Sequence, residues 1–119
     1  MERARFISHR GRKIFLLDCS GCKALEIAAI IAETARQVRS QPLASVRTVT
    51  VAGGGRFDQE TIQQLKELTK GNAPYVDRAA VVGITGLYKV VIMAVSVFSN
   101  RNFHLFDTLD EALDYLATD

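Results

Sequence analysis

The 119-residue chain has no tryptophan, two prolines, two cysteines and two histidines. Cysteines as close together as Cys19 and Cys22 do not make the disulfide framework of a small secreted domain. Only His9 and His104 would complete a tetrahedral zinc set with them, and nothing in their spacing suggests one, so no metal and no cofactor are expected. Neither histidine stands in an arrangement that reads as a catalytic triad. No apolar run reaches the roughly 20 residues that cross a bilayer, and the opening MERARFISHR lacks the apolar centre of a signal peptide. A soluble cytoplasmic protein with no transmembrane segment is expected. An excess of one charge is missing too: 15 basic against 13 acidic side chains leave a net charge of +2, too little to argue for nucleic acid. Arg3, Arg5, Arg10, Arg12 and Lys13 do cluster, but with little aromatic interleaving they read as a solvated sheet edge.

What is present is apolar content, at 48% of residues, enough for the core of one domain over 1–119. Short β-rich runs alternate with segments of helical period, the pattern of an α/β domain. RARFIS and KIFLLD flank a turn at Gly11 and predict a β-hairpin. KALEIAAIIAETARQV predicts a helix with Leu25, Ala28, Ile31 and Ala35 on its inner face, and Pro42 lies just past its end. SVRTVTV is a strand. FDQETIQQLKELTKG is a helix with Asp58 as N-cap, Ile62, Leu65 and Leu68 inward and Gly71 as C-cap. RAAVVGI and NFHLFD are strands, and Thr108 with Glu111 forms a capping box at the start of the last helix. His9, beside the hairpin turn, is expected to be solvated.

The resulting order is ββαβαβαβα, a sandwich with a mixed, mostly parallel sheet and crossover helices. With its opening hairpin and its ending FHLFDTLDEALDYLATD, the chain resembles the STAS domain of bacterial anti-sigma-factor antagonists. It resembles more closely the STAS-like and CRAL-TRIO-like lipid-binding relatives of that domain. The resemblance implies a non-catalytic, regulatory domain that binds a protein partner or an apolar small molecule or lipid. Regulatory members of that family carry a phosphorylatable serine at the start of the helix after the third strand. GGGRFDQET has none, and Thr61 is the only hydroxyl nearby.

TVTVAGGGRFDQETIQQL is a strand, a glycine turn and a helix, the order in which many phosphate loops are written. The dinucleotide fingerprint would need a third glycine where Asp58 stands, and a Walker loop would need a Gly-Lys pair. The turn therefore reads first as structural and second as an anion site at Gly53, Gly54, Gly55 and Arg56. FLLDCSGCKALEI places Cys19 and Cys22 as a CxxC between a strand and a helix, where a helix N-terminus and Lys23 would favour a thiolate. Asp18 works against that, and packing of two small apolar side chains is the plainer reading. The alternative function is a thiol-disulfide oxidoreductase, with Cys19 as nucleophile and Cys22 as resolving thiol.

GLYKVVIMAVSVF, read as the crossover helix before the last strand, is apolar nearly all round. One face holds Leu87, Val91, Val95 and Phe98, while Tyr88 and Ile92 lie on sides that should meet water. A second buried contact is expected there: a homodimer, or a groove for a protein partner or hydrophobic small molecule.

Overall fold

The computed structural model describes residues 1–83 and 103–118. Strands β1 (Ala4–His9) and β2 (Arg12–Asp18) form the expected hairpin, antiparallel from Ala4↔Leu17 to His9↔Arg12. The two-residue loop has φ of 52° at Arg10 and 78° at Gly11, the left-handed pair that a type I′ turn requires. Helix α1 (Ala24–Val38), β3 (Val46–Val51), α2 (Gln59–Asn72), a 3₁₀ turn at Ala73–Tyr75, β4 (Val76–Val82), β5 (Phe103–Phe106) and α3 (Leu109–Ala117) follow. The sheet runs β1-β2-β3-β4-β5, and every pairing after the hairpin is parallel. The fold is thus α/β with a five-stranded, mostly parallel sheet. The crossover helix expected between β4 and β5, with Leu87, Tyr88, Val91, Ile92, Val95 and Phe98, lies outside the described residues.

Both sheet faces are covered, which is why Ile14, Phe15, Leu16 and Leu17 of β2 are all buried rather than alternating with polar residues. Phe15 and Leu17 meet Ile27, Ile30, Val38 and Leu68 beneath α1 and α2. Ile14 and Leu16 face the other way and join Val49, Ala80 and Val82 against Ala112, Leu113 and Leu116 of α3. His9 is only partly solvated: its Nε2 lies 2.8 Å from Asp114 Oδ1, and Arg10 Nε lies 3.3 Å from the same oxygen. The hairpin turn is thereby fastened to α3. The basic residues around it have separate attachments; Lys13 Nζ, for instance, sits 4.1 Å over the Phe6 ring.

Two expectations for the helices are corrected. The face of α1 that enters the core is Ile27, Ile30, Thr34 and Val38, while Leu25 is 87% exposed. An alanine-rich helix carries two neighbouring apolar stripes, and the sheet takes the one that buries more area; Ala28, Ile31 and Ala35 are left half-buried toward α2. Gly71 is not a C-cap, because α2 continues through Asn72 to a cap at Ala73. A Cβ at Gly71 would come within 2.7 Å of Arg39 Cζ and closer still to Nη2, so this glycine makes room for a guanidinium. Along α2, Leu68 is buried and Ile62 and Leu65 are half-buried as the spacing predicts.

Candidate functional site

Strands β2, β3 and β4 end together, at Asp18, Val51 and Val82. The carboxyl ends of parallel strands are where open α/β sheets place their ligands. Both sequence motifs arrive there, and they interlock. Cys19 N donates to Val51 O at 2.8 Å, Gly21 N to Gly53 O at 3.1 Å and Arg56 N to Cys22 O at 3.0 Å. Gly55 is needed for this approach, since a Cβ would stand 2.8 Å from both Cys19 O and the Phe57 ring. Gly83, with φ of 79°, would bring a Cβ to 3.0 Å from Gly53 N.

A phosphate loop works by pointing successive amides at an anion. Here the Gly55 amide donates to Ala52 O at 3.0 Å, and the Arg56 amide is engaged by Cys22 O. Asp58 Oδ1 accepts from Thr61 N at 2.8 Å, the N-cap expected from sequence. That hydrogen bond holds the Asp58 carboxyl below the usual carboxylate value. Close packing of the loops thus explains Gly55 and Gly83, and a φ of 74° explains Gly54, while at the exposed Gly53 a Cβ would meet nothing nearer than Gly83 O at 4.0 Å. Arg56 is exposed, and Thr61 is only 2% exposed.

Residues Cys19 to Cys22 form a β-turn closed by Cys22 N donating to Cys19 O at 3.1 Å, with φ of 63° at Gly21. Arg3 braces it by donating to Ser20 O at 3.0 Å and Asp18 O at 3.3 Å. The Asp18 carboxylate is turned to Ser20, accepting from its amide at 3.1 Å and its hydroxyl at 2.5 Å. Both thiols are free and fully buried. Burial, then the neighbouring Cys22 and Asp18, push the Cys19 thiol up to about 12, with Arg3 acting weakly the other way. Burial likewise pushes the Cys22 thiol up. The helix N-terminus does not rescue Cys19, because α1 begins only at Ala24, beyond the reach of a first-turn effect. A thiol nucleophile must be ionised and reachable, and these are neither.

A second concave feature was not signalled by any motif. Ala28, Ile31 and Ala35 of α1 and Leu68 of α2 line an open groove of about 770 Å³, with Arg39 among its lining residues. Arg39 Nε donates to Oδ1 of the buried Asn72 at 2.8 Å, and its guanidinium lies over Gly71. The trace of this site in the sequence was a glycine inside an otherwise regular helical period, beside an asparagine.

Among the described residues no group of three or more His, Cys, Asp or Glu side chains is placed to hold a metal ion, and no helix is long and apolar enough to cross a membrane. Comparison of the chain with protein-family models, with curated proteins and with solved structures gives no match.

Proposed function

We propose that this chain is a non-catalytic, STAS-like binding domain that acts by holding a protein partner, and that it self-associates as a homodimer. The observation that carries the non-catalytic reading is the sealing of Cys19 and Cys22 within the interlocked strand-end loops. The Cys19, Gly21, Gly55 and Arg56 amides of those loops are spent on loop and strand-end carbonyls, whereas the open concave surface lies away from them, between α1 and α2. The order of elements around a mostly parallel sheet supports the STAS-like assignment. The homodimer rests on the all-round apolar pattern of 87–98 in the sequence.

The test is thiol reactivity in the native protein. Treatment with an aromatic disulfide reagent at neutral pH is expected to leave both cysteines unmodified until denaturant is added, and oxidised glutathione is expected to exchange with neither. Rapid, stoichiometric modification of Cys19 with disulfide exchange would replace the binding reading by the thiol-disulfide enzyme. Light scattering at micromolar concentration reads the homodimer separately, and a monomer mass removes it.

A further inference from the structure

The groove between α1 and α2 ends at a cation that the fold holds in place. Two costs are incurred there. Gly71 lowers the helix-forming tendency of α2, and Asn72 is a buried polar side chain, only 5% exposed. Both are accounted for by Arg39: the glycine leaves room for its guanidinium, and the asparagine accepts from its Nε. Among the described residues the two Nη groups of Arg39 have no hydrogen-bond partner, and Arg39 is in no ion pair. The nearby Glu67 carboxylate instead accepts from Gln63 Nε2 at 3.4 Å. A guanidinium fixed through one nitrogen, with the planar pair of Nη groups left over, has the geometry that receives a carboxylate in two parallel hydrogen bonds.

We propose that this groove docks an amphipathic helix of a partner protein, which lays an apolar ridge along Ala28, Ile31, Ala35 and Leu68 and places one carboxylate on Arg39. The inference rests on the binding-domain reading above and names its site and partner chemistry. The occupant follows from shape and charge. Small-molecule pockets enclose most of their ligand, whereas this groove is open along its length and would leave a small apolar molecule largely wet. A helix covers such a trough from outside, and helix-in-groove recognition uses apolar anchors at three- and four-residue spacing. The small side chains of Ala28, Ala32 and Ala35 let a helix backbone approach closely. Glu67 and Lys70 also line the groove, on the α2 side, and Arg39 is the lining cation that Asn72 holds in position, so it sets the charge of the polar anchor.

The experiment is a selection from a displayed library of helical peptides on the wild-type protein, counter-selected on Ala32→Arg, a change at an exposed position that fills the groove. Enriched peptides are expected to carry Asp or Glu with apolar residues three or four positions away. An enriched peptide, labelled and titrated by fluorescence anisotropy, should bind Arg39→Gln about tenfold or more weakly, the loss expected when a bidentate charged pair is broken. Replacing the peptide's carboxylate by the amide should cost the same factor, and the two changes together should cost little more than either. Thermal melts of both variants establish that they are folded. Enrichment only of peptides indifferent to Ala32→Arg, binders indifferent to Arg39→Gln, or no binders at all would overturn the proposal. Self-association abolished by Ala32→Arg would overturn it in favour of a second copy as occupant. Each of these outcomes leaves the binding-domain reading in place, because that reading fails on thiol reactivity.

Discussion

Arg10 carries a left-handed backbone, with φ of 52°, at the first position of the hairpin loop. Side chains with a Cβ are strained there, and asparagine is the least strained of them. Arg10→Asn should therefore raise stability by roughly 0.5 kcal/mol in denaturant melts, after subtraction of a weak exposed contact with Asp114. A fall in the midpoint would show that the contact outweighs the strain. Cys19 gives a second residue-scale expectation. Its folded value of about 12 stands above the ordinary 9.0, so above pH 9 the unfolded chain loses a proton that the native chain keeps. Stability must fall as the pH rises through that interval, and Cys19→Ala should flatten the alkaline limb. An alkaline limb identical in Cys19→Ala would assign it to other groups. At this scale the sequence was legible where one residue acts on its own neighbours. Asp58 and Thr108 cap the helices they precede, with Thr108 Oγ1 accepting from Glu111 N at 3.2 Å. It was illegible for His9, whose partner Asp114 lies 105 positions away and is brought near only by the sheet.

The elements followed their periodicities wherever one pattern dominated. β2 carries the unbroken apolar run IFLL and β4 the run AAVV, and a strand buried on both faces needs no alternation. α1 was harder to orient, because Ile27, Ile30 and Val38 on one stripe compete with Ala28, Ile31 and Ala35 on the next, and only packing on the sheet chooses between them. Gly71 shows why a propensity rule alone misleads. Near the end of a helical run a glycine reads as a terminator, yet here α2 passes through it and uses the missing Cβ to admit Arg39. On propensity alone, Gly71→Ala would gain up to about 1 kcal/mol. The added methyl would also displace the guanidinium and leave the buried Asn72 Oδ1 without its donor, which costs about 1–3 kcal/mol. The single variant should be destabilised by about 1 kcal/mol. Once Arg39→Ala has removed the guanidinium, Gly71→Ala should become stabilising. A double-mutant cycle by chemical denaturation reads this change of sign, and a cycle without it would detach Gly71 from Arg39.

On the scale of the whole molecule, carboxylates are held both within elements and between elements distant in sequence. Within α1, hydrogen bonds from Arg36 and Gln37 hold the Glu33 carboxyl at about 2 against an ordinary 4.5, and across the fold the bond from His9 holds the Asp114 carboxyl below its usual value. Groups whose folded values are depressed stabilise the fold above their unfolded values. That stability is lost as the pH falls through the folded values, so it should decline between about pH 4.5 and 2. Glu33→Gln should lower stability in denaturant melts at neutral pH, and the loss should shrink toward the lowest part of that window, where the wild-type carboxylate also becomes protonated. Among the described residues, Arg47 is a long-range tie made by a buried side chain. It lies two residues before Val49 on the same side of β3 and therefore points at α3. With its side chain 8% exposed, its Nε donates to Asp77 Oδ2 at 2.9 Å and its Nη1 to Leu116 O at 2.6 Å and to Thr118 O. These carbonyls belong to the last turn of α3 and the residue after it, so a side chain of the central strand serves as the C-terminal cap of the last helix. Arg78 of β4, half-buried, adds a solvent-exposed hydrogen bond to Thr118 O at 3.0 Å. Arg47→Met keeps the apolar volume of the stem while removing the cap, so that Leu116 O loses this donor and Thr118 O keeps only Arg78, at a cost of about 2–4 kcal/mol. Because the loss acts on one helix, hydrogen exchange should quicken in α3 before it quickens in β2 and β3. Equal quickening across the whole sheet, or an unchanged denaturation midpoint, would show that α3 is held by Leu113 and Leu116 alone.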